Sequence, residues 1–164
     1  MVLQKKRISA DNALMRLENL CARSEHCGWE LREKLRGWGI SGSDAEKILD
    51  SLHRARYYDD ERFARAFARD KLLYNRWGRR KISMAMKAKR IDNDVIDEAV
   101  DELDTDEYYA VLSGFMKARA KSIKEGDTYE GRTKLFRAAL SRGFESQLIS
   151  RVIQAGGLWP DNDD

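Results

Sequence analysis

Apolar residues recur along this chain at intervals of three and four: Leu14, Leu17, Leu20 and Cys21; Phe63 and Phe67; Leu135, Ala138 and Ala139. That spacing marks one face of an α-helix, and strand-like alternation is lacking. The punctuation agrees. The single proline, Pro160, stands almost at the end of the chain. Ser43-Asp44-Ala45-Glu46 reads as a capping box, and Asp104-Thr105-Asp106-Glu107 has the same logic with aspartate as the cap. Cys27-Gly28-Trp29-Glu30 repeats it with cysteine where serine caps better. Gly39 and Gly143 stand near predicted helix ends. The pattern predicts an all-α chain of about nine helices.

The pattern also repeats. Residues 31–52, LREKLRGWGISGSDAEKILDSL, align with 82–103, ISMAMKAKRIDNDVIDEAVDEL, at an offset of 51. Leu31 meets Ile82, Leu35 meets Met86, Ile40 meets Ile91, Leu49 meets Val100 and Leu52 meets Leu103. A third copy, GRTKLFRAALSRGFESQLISRVI, fits with one residue removed, so that Ile40 meets Phe144 and Ile48 meets Val152. A further helix precedes each copy, over 9–23, 60–74 and 106–123. The expected architecture is three tandem three-helix repeats: 1–57 with the N-terminal tail, 58–104, and 105–158, followed by an acidic tail at 159–164. Such units gain by stacking, which predicts an elongated, curved array with a concave binding surface.

Composition narrows the class. A length of 164 residues suits one ordinary domain or a row of small units. No apolar run approaches the roughly 18 residues of a membrane span. The N-terminus MVLQKKRISADN has basic residues but no apolar core behind them, unlike a secretory signal. Cys21 and Cys27 are the only cysteines, too few for a disulfide framework. The expectation is a soluble, cytoplasmic monomer with free thiols.

Charge changes the picture more than composition does. The chain has a formal net charge of only +3, yet residues 71–91 contain no acid at all. Their cations are Lys71, Arg76, Arg79, Arg80, Lys81, Lys87, Lys89 and Arg90, so the remainder of the chain is net negative. On a helical wheel Ala85 and Met86 fall beside Ile82 as the buried side. Arg79, Arg80, Ser83, Lys87 and Arg90 share one flank of about 100°. A solvated face normally mixes signs, and a single-sign field steers nucleic acid or an acidic protein surface. The third copy repeats the feature more weakly with Arg132, Lys134, Arg137 and Arg142, and Gly131 to Phe144 is again free of acids. In the first copy Glu30 and Glu33 are mixed among Arg32, Lys34 and Arg36. The residues alone leave two readings open for the basic helix, a solvated face or the seat of an anionic partner.

Other chemistries fare worse. Trp29 reads as packing, whereas Trp77, between Arg76 and Gly78, is the candidate for an exposed contact with a base or partner. Asp59, Asp60 and Glu61 are consecutive and point in different directions on a helix, which favours capping over a metal or catalytic cluster. Cys21, His26, Cys27 and His53 match no common zinc spacing. There is no phosphate-binding G-x-x-x-x-G-K-[ST] loop, and no nucleophile–base arrangement stands out. No catalytic residue, metal or cofactor is therefore expected.

Between the first two copies sits YYDDERFARAFARDK, residues 57–71, followed by WGRRKI and the helix to Arg90. Together with SEHCGWELREKLRGWGI, residues 24–40, this resembles the signature of the RecX family, regulators of the bacterial RecA recombinase. The resemblance covers about residues 10–155. It departs from the family pattern at Cys27, where serine is usual. Arg90 also stands where the other copies have Gly39 and Gly143. Either the backbone at Arg90 is left-handed and strained, or the helix ends differently there; the second reading is preferred. What the resemblance implies is a non-enzymatic protein of DNA repair, recombination and the SOS response. It would lie in the groove of the RecA–DNA filament, bridge RecA subunits and repress strand exchange and ATP hydrolysis by RecA. Some family members also bind single- or double-stranded DNA directly. The contacting residues expected here are Arg76, Trp77, Arg79, Arg80, Lys87, Arg90, Arg132, Lys134, Arg137 and Arg142. The acidic tail from Asp161 would limit non-specific DNA binding. The alternatives are a free-standing DNA-binding protein and a purely structural helical adaptor.

Overall fold

The computed structural model describes residues 8–161. Among them the elements are α1 (Ala10–Arg23), α2 (Gly28–Gly37), α3 (Gly42–Arg54), α4 (Asp60–Asn75), α5 (Arg79–Ala88), α6 (Asn93–Asp101), α7 (Thr105–Ala120), α8 (Tyr129–Ser141) and α9 (Ser146–Ala155), with no strand. The all-α expectation holds. The N-terminal MVLQKKR and the tail beyond Asp161 lie outside the described residues.

The repeat is visible in the backbone. α3, α6 and α9 begin at Gly42, Asn93 and Ser146. Two residues before each start lies a buried apolar side chain: Ile40, Ile91 and Phe144. One residue earlier the backbone turns left-handed, with φ 79° at Gly39, 55° at Arg90 and 93° at Gly143. In each case the next amide reaches a carbonyl five residues back: Ile40 to Leu35 at 2.9 Å, Ile91 to Met86 at 3.3 Å, Phe144 to Ala139 at 3.4 Å. This closure satisfies the orphan carbonyls of the helix end and tucks the following apolar side chain inward. The preferred expectation that the helix ends differently at Arg90 is thus overturned. Burying Ile91 requires the same left-handed turn as in the other copies, so Arg90 adopts it. Arg56 and Arg76 are left-handed as well, at φ 59° and 53°.

A smaller correction concerns α3. Its N-cap is Ser41, not Ser43. Glu46, the expected acid of the box, is instead hydrogen-bonded by Arg32 of α2. Asp104 caps α7 as expected, accepting from the Glu107 amide at 2.8 Å.

Contacts divide the chain into two compact units: Met1–Ala66 with Met86–Ile96, and Phe67–Ala85 with Asp97–Asp164. In the first, Ala13 and Leu17 of α1, Leu31 and Leu35 of α2, and Ala45, Ile48, Leu49 and Leu52 of α3 form one core with Ile40. The YYDDER stretch locks this unit. Asp59 Oδ1 caps α4 by accepting from the Arg62 amide at 3.0 Å, and that bond holds the Asp59 carboxyl below its ordinary range. Asp60 Oδ1 accepts from the Gly28 amide at 2.9 Å, so it serves the N-terminus of α2. Arg62 Nε donates to Glu25 at 2.7 Å. A side chain on Gly28 would press on Tyr58, at 3.1 Å from Cε2. At the start of α2 the amide of Cys27 donates to Glu30 Oε1 at 3.3 Å, and the buried thiol is pushed up to about 11 by burial.

The second unit packs α7, α8 and α9 against one another. Its interior includes Tyr108, Leu112, Phe115, Met116, Leu135, Phe144, Ile149 and Val152, joined by Leu72 and Ile82. The Phe144 ring lies 5.4 Å from Tyr108 and 6.4 Å from Phe115, centroid to centroid.

Candidate anion-binding interface

In the second unit the turn before α5 interlocks with the turn after α8. The Gly78 amide donates to the Arg142 carbonyl at 2.8 Å, and the Arg80 amide donates to the Gly143 carbonyl at 3.1 Å. The approach leaves no room for side chains. A Cβ on Gly78 would lie 2.3 Å from the Gly143 carbonyl carbon, and one on Gly143 would lie 2.4 Å from the Lys81 nitrogen.

This junction draws Arg79 inward. Its amide donates to Tyr108 Oη at 3.0 Å, its Nε to the Val100 carbonyl at 3.2 Å, and a terminal nitrogen to Glu145 Oε2 at 3.3 Å. The guanidinium lies 3.8 Å from the Tyr108 ring centroid. Tyr108 Oη in turn donates to Glu145 Oε1 at 2.6 Å. Burial, then this bond to a carboxylate, pushes the Tyr108 phenol well above its ordinary value. Arg79 therefore anchors the start of α5 and does not present its charge outward.

Its neighbours differ. Trp77 is half-buried, with the Lys71 and Lys81 ammonium groups 4.9 and 4.8 Å from the ring centroid. Arg76 and Arg80 are exposed and have no acidic partner among the described residues. In the first unit Lys87 and Arg90 are likewise exposed and unpaired among the described residues. Lys89, four residues from Ala85, is not: it bonds Glu30 Oε2 at 3.2 Å and lies 5.7 Å from the Trp29 ring centroid. The acid missing from the basic run is thus supplied in part by Glu30 and Glu145, 59 and 66 residues away. It is not supplied for Arg76, Arg80, Lys87 and Arg90.

The cations of α8 are more engaged. Arg132 Nε donates to Asp127 at 2.6 Å, and Lys134 is hydrogen-bonded to Glu125. Arg142 is half-buried, 5.3 Å from the Phe115 ring centroid. Arg137 is exposed with no acidic partner among the described residues. In α2 the mixed charges neutralise locally, Arg36 with Glu33 at 2.5 Å and Arg32 with Glu46. Among the described residues no group of three or more His, Cys, Asp or Glu side chains converges on a metal position. His26 instead bonds Ser24 Oγ at 3.1 Å and lies 3.8 Å from Glu30. None of the described helices is long and apolar enough to cross a membrane. Arg56, an exposed left-handed arginine past the end of α3, lies outside the basic run. The available signal was positional, an arginine where a helix end favours glycine.

Comparison with known proteins gives this geometry a context. A family model described as the second three-helix domain of RecX matches residues 59–100. The regulatory protein RecX of Prosthecochloris aestuarii is 30% identical over 131 residues, covering 79% of this chain and 83% of that protein. The protein of the same name from Legionella pneumophila is 32% identical over 138 residues, covering 82% and 88%. One from Clostridium botulinum is 29% identical, and there the match spans only 59% of the relative's length. The crystal structure of RecX from Lactobacillus salivarius matches with a TM-score of 0.80 over 89% of this chain and 95% of that one, at 17% identity, a likeness of fold. Relatives this similar across most of both chains leave one assignment: the chain belongs to the RecX family.

Proposed function

We propose that the chain is a negative regulator of RecA that docks on the RecA–DNA filament and represses its recombinase and ATPase activities. Family membership supports the reading, since the relatives carry the name regulatory protein RecX. The observation that carries it on this molecule is the exposed cations without acidic partners among the described residues, Arg76 and Arg80 in the second unit and Lys87 and Arg90 in the first. Arg76 and Arg90 hold left-handed backbone, at a cost of about 1 kcal/mol each relative to glycine. Strain of that kind is retained where a side chain has work outside the fold. Trp77, half-buried with the Lys71 and Lys81 ammonium groups near its ring, adds an apolar edge beside Arg76. Arg132, Lys134, Arg137 and Arg142 of α8 extend the contact, and Arg79 acts by fixing the start of α5.

Inhibition of RecA ATPase at substoichiometric protein tests the reading, measured beside direct DNA affinity at rising salt. The double reversal Lys87→Glu with Arg90→Glu should abolish inhibition with helical content unchanged. If inhibition instead vanishes in step with DNA affinity, and no complex with RecA can be isolated, a free-standing DNA-binding protein is the better description. If the reversal leaves inhibition intact, these residues do not carry the contact.

A further inference from the structure

The end of α7, the segment 121–128 and α8 line an open cleft of ≈ 560 Å³ within the second unit. Its cations are Arg119, Lys124, Lys134 and Arg137, with Ile123 and Ala138 between them and Glu125 as the one acid. Arg119 stands in the last turn of α7, where a cation is favoured by the helix's own negative end. Lys124 and Arg137 have no such reason to be there. The segment that lines one side of the cleft is held by backbone hydrogen bonds. The amides of Ile123, Gly126 and Thr128 donate to the carbonyls of Ala120, Ile123 and Gly126 at 3.1, 3.3 and 2.9 Å. The Gly126 carbonyl presses so closely on the first turn of α8 that a Cβ on Gly131 would lie 1.9 Å from its oxygen. Glu125 is thereby fixed where Lys134 bonds it, and this bond holds the Glu125 carboxyl below its usual range.

We propose that this cleft is a phosphate-binding site in which Glu125 occupies Lys134 until the ligand displaces it. The Glu125 carboxylate, with Glu130 4.0 Å from the same ammonium, already occupies Lys134. It satisfies Lys134 alone, whereas Arg119, Lys124 and Arg137 have no acidic partner among the described residues. A phosphate brings more acceptor oxygens and more charge than a carboxylate, and it suits cations converging from three segments. The volume fits a nucleotide-sized group, and Ile123 with Ala138 offers an apolar wall for its uncharged part. The phosphate can come from a polynucleotide backbone or from a small free phosphate. The site shares Lys134 and Arg137 with the α8 part of the contact proposed above and takes none of the α5 cations.

The test is a titration of the full chain with pyrophosphate, and separately with a short oligothymidylate, followed by backbone amide resonances at constant ionic strength. Shifts should centre on residues 119–137. Glu125→Gln should tighten binding several-fold, and Lys124→Gln with Arg137→Gln should weaken it by about tenfold or more. Both replaced cations are exposed, so the variant should keep the urea midpoint of the parent. Binding of both ligands assigns an isolated phosphate, and binding of the oligonucleotide alone assigns the polynucleotide backbone. The proposal is overturned if neither ligand shifts these resonances, if Glu125→Gln leaves affinity unchanged, or if a polyglutamate peptide binds as tightly as pyrophosphate. The Lys87→Glu, Arg90→Glu variant should retain the phosphate response, so failure here and failure of RecA inhibition can be told apart.

Discussion

Arg90 holds its backbone at φ 55°, in the place taken by Gly39 and Gly143 in the other repeats. Replacing it by glycine should raise stability by about 1 kcal/mol in urea melts while weakening the anionic partner's hold. A variant that is no more stable than the parent would remove the strain argument. The sequence aligned Arg90 with the glycines but favoured a different helix ending there, because a left-handed backbone is costly for arginine. The deciding element was Ile91, whose burial in the first unit is a tertiary fact. The same limit applies to Asp59 and Asp60. Local spacing suggested that one of them caps α4, and only the fold revealed that the other bonds Gly28, 32 residues away. Asp59→Ala should cost about 1 kcal/mol. Because the Asp59 carboxyl is held below its ordinary value of 3.8, its contribution is present above that pH and lost as pH falls through the lower folded value. The parent should therefore lose part of its advantage over Asp59→Ala in acid denaturation below about pH 4.

At the level of elements, spacing alone located the helices and their offsets, down to the matching starts of α3, α6 and α9. It erred where an acid had a distant use. Glu46 was read as part of a local box, but it serves Arg32 on another helix. The basic face of α8 looked unopposed because the acids that answer it, Glu125, Asp127 and Glu130, all precede Gly131. The Gly78–Gly143 interlock left no pattern at all, since close approach of two backbones is invisible to periodicity. Alanine at Gly78 must move a helix end and should cost about 1–3 kcal/mol, the range for overpacked sites. Alanine at Gly143 adds left-handed strain of about 1 kcal/mol to the same collision. Thermal melts of the two variants should rank Gly143→Ala below Gly78→Ala, and both well below Gly37→Ala, where nothing lies within 4 Å.

For the molecule as a whole, a net charge of +3 conceals a basic run within an otherwise net acidic sequence. If Arg76, Arg80, Lys87 and Arg90 all meet duplex phosphate, log affinity against log salt should fall with a slope of about −3 to −4. A slope near zero for DNA, together with retained binding to RecA, would mean that these cations meet carboxylates instead. The bonds that join distant parts of the first unit also set an order in time. The α2 amide of Gly28 and the carboxylate of Glu25 find their partners, Asp60 and Arg62, only when the chain has grown past them. During synthesis at 5–20 residues per second, the 32 residues from Gly28 to Asp60 take roughly 2–6 s to emerge. For that interval α1 stands complete while α2 and α3 are still being added without their final fastening. The opening repeat therefore becomes a finished structure only when the ribosome has begun the second.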